Sequence, residues 1–121
     1  MAARDDAPEP AAIALSHRVR PGGEVIVVLG GELDIVSVEM AVSYVRDVID
    51  RYPGPVIVDL TALTFCDAQG LGALLRIAGY AERAGCECRL ASPRPSLVKI
   101  MRITGLDRTF PASQASCPAG S

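Results

Sequence analysis

The hydrophobic pattern of this 121-residue chain switches back and forth between a strand period and a helix period, and that alternation limits the fold more than any single motif does. Ile13, Leu15, His17 and Val19 alternate with Ala14, Ser16, Arg18 and Arg20, the period of a half-buried strand. Pro21-Gly22-Gly23 closes a hairpin. Val25 to Leu29 is an unbroken apolar run rich in β-branched residues, as in a strand buried on both faces. From Val38 the period is helical, with Val38, Ala41, Val42, Val45, Val48 and Ile49 on one face. Ser37 is placed to cap this helix, Glu39 sits in its first turn, and Pro53-Gly54-Pro55 stops it. Val56 to Leu60 reads as a short buried strand. Thr61 to Asp67 leads into a second helix, with Leu71, Leu74, Leu75, Ala78 and Ala81 on one face and Gly85 as its stop. Cys86 to Ala91 reads as a fourth strand. Ser92 and Pro93 read as the cap and first position of a third helix, ended by Gly105. Its inward face carries Leu97, Ile100, Met101 and Thr104, and Leu106 and Phe110 are expected to fold back onto the core.

The order β-β-α-β-α-β-α contains two strand–helix–strand crossovers, which place parallel strands side by side with helices packed against them. The opening hairpin adds an antiparallel pair. The expected fold class is therefore α/β, one domain with a mixed sheet of four or five strands over residues 12–110. A disordered leader (1–11) and a flexible tail (111–121) are expected to flank it. A chain of this size buries about two-thirds of its unfolded surface, enough for an unaided core. No apolar run nears the roughly 18 residues of a membrane span. The first residues lack the apolar stretch of a signal peptide, so a cytoplasmic protein is expected. The net charge of −2 and the absence of Trp argue against a nucleic-acid partner.

A single histidine, His17, leaves almost no room for a histidine-based catalytic triad or a zinc finger. Gly70-Leu71-Gly72 lacks both the Gly-Lys-Ser/Thr ending of a phosphate loop and the third glycine of a dinucleotide fingerprint. No catalytic residue, cofactor or metal is expected. The four cysteines, Cys66, Cys86, Cys88 and Cys117, form no C-x-x-C pair. The plain reading is small buried hydrophobes. The sharper one is a redox switch pairing Cys66 with Cys86 or Cys88, which requires Cα atoms within about 7 Å.

The informative segment runs from Leu63 to Leu75. A strand delivers the chain to Asp67 where a helix starts, and a helix start carries unpaired N–H groups and partial positive charge. Asp67 can cap those donors, while Gly70 and Gly72 are expected to leave the first turn bare for close approach by a partner. Here the residues carry a resemblance. Gly31-Glu32-Leu33-Asp34 with Ser37, the Val-Asp-Leu strand, Phe-x-Asp-x-x-Gly-Leu-Gly-x-Leu, Ser92-Pro93 and Thr104-Gly105-Leu106 together look like a STAS domain of the anti-sigma factor antagonist family. The resemblance covers about residues 13–110 and implies the same element order. It also implies partner switching, in which the antagonist binds a kinase-like anti-sigma factor and frees a sigma factor. The kinase then phosphorylates a Ser or Thr at the start of the second helix. A phosphate adds roughly −1.5 to −2 charge there, which an interface fitted to a neutral hydroxyl does not tolerate.

The chain departs from the family pattern at that position. Asp67-Ala68-Gln69-Gly70 stands where the family usually has Asp-Ser-Ser-Gly or Asp-Ser-Thr-Gly, so Gln69 occupies the acceptor place and cannot take phosphate. Thr61 and Thr64 are the nearby hydroxyls, and loop residues of this kind satisfy local backbone groups. Three outcomes are open: an antagonist controlled by its amount, one answering to another input such as Cys66 oxidation, or a domain with a different partner. Retention of Asp34, Ser37, Asp67 and the glycines favours the first two. The expected partner-binding residues are Asp34, Ser37, Asp67, Ala68, Gln69, Gly70, Leu71, Gly72 and Arg76. Arg76 is expected on the outward face of the second helix with Tyr80 and Arg83, within reach of a partner carboxylate. Two alternatives stand beside this reading: a subunit docking a membrane transport or lipid-trafficking ATPase, and a small-ligand or nucleotide sensor.

Overall fold

The computed structural model describes residues 13–105. The expected leader and tail, the fold-back of Leu106 and Phe110, and Cys117 lie outside them. β1 (Ile13–Val19) and β2 (Val25–Leu33) form the expected antiparallel hairpin, with Leu15 opposite Leu29 and His17 opposite Val27. Then follow α1 (Val38–Arg51), β3 (Val56–Asp59), β4 (Leu63–Cys66), α2 (Ala68–Arg83), β5 (Cys88–Ala91) and α3 (Pro95–Thr104). The sheet has five strands in the order β1-β2-β3-β5, with β4 paired to β2 off this path. β2 is nine residues long and serves two short parallel neighbours in turn. Val25 to Val28 pair with β3, and Gly31 to Leu33 pair with β4.

One face of the sheet holds the core. Val25, Val27 and Leu29 of β2, Val56 and Val58 of β3 and Leu90 of β5 are buried with the inner faces of the helices. α1 contributes the six residues its period predicts. α2 buries Leu71, Ala73, Leu74, Ile77 and Ala81, while Leu75 and Ala78 are only half-buried. Each fully buried Val or Leu side chain contributes roughly 1.5–3 kcal/mol relative to its exposed state, so this layer dominates stability. By the two-residue period of a strand, Ser16, Arg18, Val28, Ile57 and Arg89 share the opposite face. His17 lies on the helix side, its Nδ1 2.6 Å from the hydroxyl of Tyr44.

Five local readings need correction. The approach to α2 contains a strand, β4, which at four residues is too short to show a period. β5 starts at Cys88, not Cys86, because the N–H of Cys86 donates to Ala81 O and closes the end of α2. α3 starts at Pro95 with Arg94 as its cap. A residue before proline is driven into extended backbone, and Arg94 has φ −63° and ψ 151°, so no helix can run through it from Pro93. Leu97 and Met101 are buried, whereas Ile100 and Thr104 are exposed. Finally, Ser37 precedes α1 without capping it through its side chain.

Candidate partner-binding site

Strand pairing builds the site. Leu33 and Cys66 are neighbours at the C-terminal ends of β2 and β4, so the residues that follow them, Asp34 and Asp67, open two adjacent loops. The N–H of Asp67 donates to Leu33 O at 3.4 Å and ties the loops together. Asp34 Oδ1 accepts from the N–H groups of Val36 at 3.0 Å and Ser37 at 3.3 Å. Asp67 Oδ1 accepts from the N–H of Gly70 at 3.0 Å, an N-cap of α2. Each carboxylate uses one oxygen to fix its own loop. Among the described residues the other oxygen has no hydrogen-bond partner in either case.

The nine expected site residues divide into surface and support. Ala68 and Gln69 are exposed at the start of α2, and Asp34, Asp67 and Gly72 are half-exposed. Ser37 is only 1% exposed. Its hydroxyl donates to Glu32 O at 2.7 Å and accepts from the N–H of Asp34 at 3.1 Å, so it braces the Asp34 loop from beneath. Leu71 is buried. Gly70 is also buried, and a Cβ there would stand 2.5 Å from Leu33 O and 2.7 Å from Cys66 Sγ. Its missing side chain lets α2 approach the chain's own sheet, not a partner. Arg76 is exposed but engaged: it donates from both terminal nitrogens to the Glu39 carboxylate, at 2.8 and 3.1 Å. That hydrogen bond, then the guanidinium charge, holds the Glu39 carboxyl below the usual carboxylate range.

The sequence reading missed four apolar residues around these loops. Ile35 and Val36 are each 68% exposed, Met40 52% and Phe65 50%. Ile35 and Val36 follow Asp34 directly, Met40 lies in the first turn of α1, and Phe65 of β4 sits opposite Glu32 of β2. The available signal was Met40, which falls outside the inward stripe of α1.

The cysteines are placed against the paired redox switch. Cys66 pairs with Leu33, at the C-terminal end of β2, while Cys88 pairs with Val56, itself opposite Val25 at the N-terminal end. Eight residues of strand separate these levels, about 26 Å. A Cys66–Cys88 bond is therefore excluded, and Cys86, two residues from Cys88, lies at the same remote end. Burial, then the neighbouring Asp67 carboxylate, pushes the Cys66 thiol up to about 11. Burial, then Cys86, pushes Cys88 up to about 12. Thiolate is the reactive form, so at neutral pH the Cys66 thiol is expected to react with a disulfide reagent about tenfold more slowly than free cysteine, or slower still. Stopped-flow measurement on a variant retaining only Cys66 checks this.

The sequence matches the STAS domain family over residues 15–116, most of the chain. The chain belongs to the STAS domain family. No curated protein matches it significantly. Among solved structures, this STAS domain is similar to an anti-sigma factor antagonist from Mycobacterium paratuberculosis, with 24% identity and a TM-score of 0.73 over 87% of this chain and 88% of that one. The Bacillus cell fate determinant SpoIIAA in its phosphorylated form shows 23% identity and a TM-score of 0.63, covering 84% and 93% of the two chains. The murine anion transporter Slc26a9 shows 20% identity and a TM-score of 0.59, with 71% of this chain covering 14% of that one. At these identities the likenesses show the STAS fold alone. No helix among the described residues is long and apolar enough to cross a membrane.

Proposed function

We propose that this STAS domain is an anti-sigma factor antagonist, which binds an anti-sigma factor of the serine-kinase type and thereby releases a sigma factor to act in transcription. The observation that carries the reading is the pairing of two loop carboxylates, Asp34 and Asp67, with exposed Ile35, Val36, Met40 and Phe65 beside the open start of α2. An exposed apolar patch bordered by fixed polar groups is the usual make-up of a docking surface. An α2 start carrying Ala68 and Gln69 offers no hydroxyl to a kinase. Of the nearby threonines, Thr61 Oγ1 donates to Asp59 at 2.6 Å and Thr64 Oγ1 to Gly31 O at 3.1 Å. The domain therefore acts by binding, and its engagement is set by its amount.

The test is a direct binding assay against the serine-kinase anti-sigma factors of the source genome, with and without ATP. One of them is expected to bind. ATP is expected neither to dissolve the complex nor to add phosphate within residues 67–70 by intact-mass and peptide analysis. Failure to bind any of them, with association to a transport ATPase instead, overturns the proposal. Phosphate found at residues 67–70 overturns the kinase-independent part of it.

A further inference from the structure

A second surface continues from the two-loop site along α1 and α2. α1 and α2 pack side by side, and the groove between them is lined by Arg46 of α1 and by Arg76, Tyr80 and Arg83 of α2, around a space of about 340 Å³. Tyr80 is held in place: its hydroxyl donates to the Asp50 carboxylate, and Arg46 lies over its ring at 4.8 Å. Gly79 leaves room for Arg83, whose Nη1 would stand 3.4 Å from a Cβ at that position. Among the described residues, neither Arg46 nor Arg83 forms an ion pair. Arg76 uses two of its donors on Glu39 in an exposed, solvent-screened pair, and its remaining donors stay open to a ligand. No carboxylate lines the groove; Glu39 and Asp50 flank it, already engaged with Arg76 and Tyr80.

We propose that this groove binds an extended acidic segment of a partner protein, with carboxylates spaced to meet Arg76 and Arg83 in succession and Arg46 closing over them from α1. Charge selects an acidic partner: three arginines and no carboxylate line the groove. Positions 76 and 83 are seven residues apart on one helix face, about 10.5 Å between their places on the backbone. An extended segment can follow the groove from one to the other. A polyproline-type segment has three residues per turn and a rise of about 3.1 Å, so acids at every third position share one face about 9.3 Å apart. Arginine suits such carboxylates because its planar fork can hold two oxygens at once. The groove shares Arg76 with the two-loop site but extends along α2 to Arg83, and the inference stands whether or not the partner of those loops is an anti-sigma factor.

The probe is a fluorescent peptide of about twelve residues with glutamate at every third position among alanine and proline. Its anisotropy is followed on titration with the full chain. Binding is expected, with an affinity that falls as salt rises. The Arg46→Gln/Arg83→Gln variant is expected to bind about tenfold more weakly, while a glutamine version of the peptide is expected not to bind. All these side chains are at least half-exposed or solvent-facing at the groove, and unchanged thermal melting of the variant confirms that it is folded. Equal loss from Arg18→Gln/Arg89→Gln, on the opposite sheet face, would mean unspecific charge attraction and overturns the proposal. So does competition by millimolar inorganic phosphate beyond that of an equal ionic strength of chloride, which indicates a compact-anion site. So does about tenfold tighter peptide binding on neutralising Asp5, Asp6 and Glu9, which would assign the groove to the chain's own N-terminal segment.

Discussion

Gly70→Ala is expected to lower the unfolding free energy by about 2–4 kcal/mol, and the melting temperature by roughly 10–20 °C for a domain of this size. Helix propensity predicts the opposite sign, because alanine exceeds glycine by about 1 kcal/mol inside a helix. Packing decides. A Cβ at position 70 would meet Leu33 O at 2.5 Å, Cys66 Sγ at 2.7 Å and Leu33 Cγ at 3.1 Å. The first of these is a backbone oxygen that accepts the N–H of Asp67, so it cannot retreat without parting the ends of β2 and β4. Gly72 supplies the control on the same helix. A Cβ there meets nothing within 4 Å, and Gly72→Ala is expected to stabilise by about 0.4–1 kcal/mol. Urea unfolding of the two variants checks both signs. Wild-type stability for Gly70→Ala would mean that α2 does not sit this close to β2, and would remove the link that holds the Asp67 loop against the Asp34 loop.

What the sequence made legible follows from how locally each feature is determined. The inward face of α1 needs only a helical period and an apolar sheet to pack on, and all six of its residues are buried as their spacing predicts. The β1–β2 hairpin and the parallel β3 are equally local readings of alternation and apolar runs. The start of α3 was also written in the sequence, but two prolines competed for it, and the restriction that Pro95 places on Arg94 settled the choice. β4 was not legible, since its four residues form a strand only because β2 extends past the end of β3 and leaves backbone groups to pair. The site was half legible. Asp34 and Asp67 were identified as loop acids, but their adjacency depends on that same non-local pairing. Ser37 and Gly70 carry the right residue types for a different reason from the one their positions suggest: both face inward and hold the loops in place.

Charging the apolar shelf that exposed Ile35, Val36, Met40 and Phe65 form around the two loops is expected to have the largest effect on function. Val36→Asp/Phe65→Asp should weaken association with the proposed anti-sigma factor partner by about 100-fold or more, some 3 kcal/mol. Two terms act in the same direction. Truncating an aromatic anchor at an interface commonly costs 2 kcal/mol or more. A buried carboxylate without a partner adds its own desolvation cost, and here it also stands near the existing charges of Asp34 and Asp67. The fold should not suffer, because Val36 is 68% and Phe65 50% exposed and neither belongs to the buried core. Val19→Asp is the matched control. Val19 is apolar and 46% exposed, but it pairs with Val25 at the far end of the sheet from both loops. If titration calorimetry finds both proteins equally weakened, general charge repulsion explains the loss and the shelf is not the contact. If the double variant binds like the wild type, docking lies elsewhere on the molecule. A loss confined to the Val36 and Phe65 substitutions would place the partner at the two loops, because Val36 lies in the Asp34 loop, Phe65 stands two residues before Asp67 in β4, and neither contributes to the core in a way that would explain the loss otherwise.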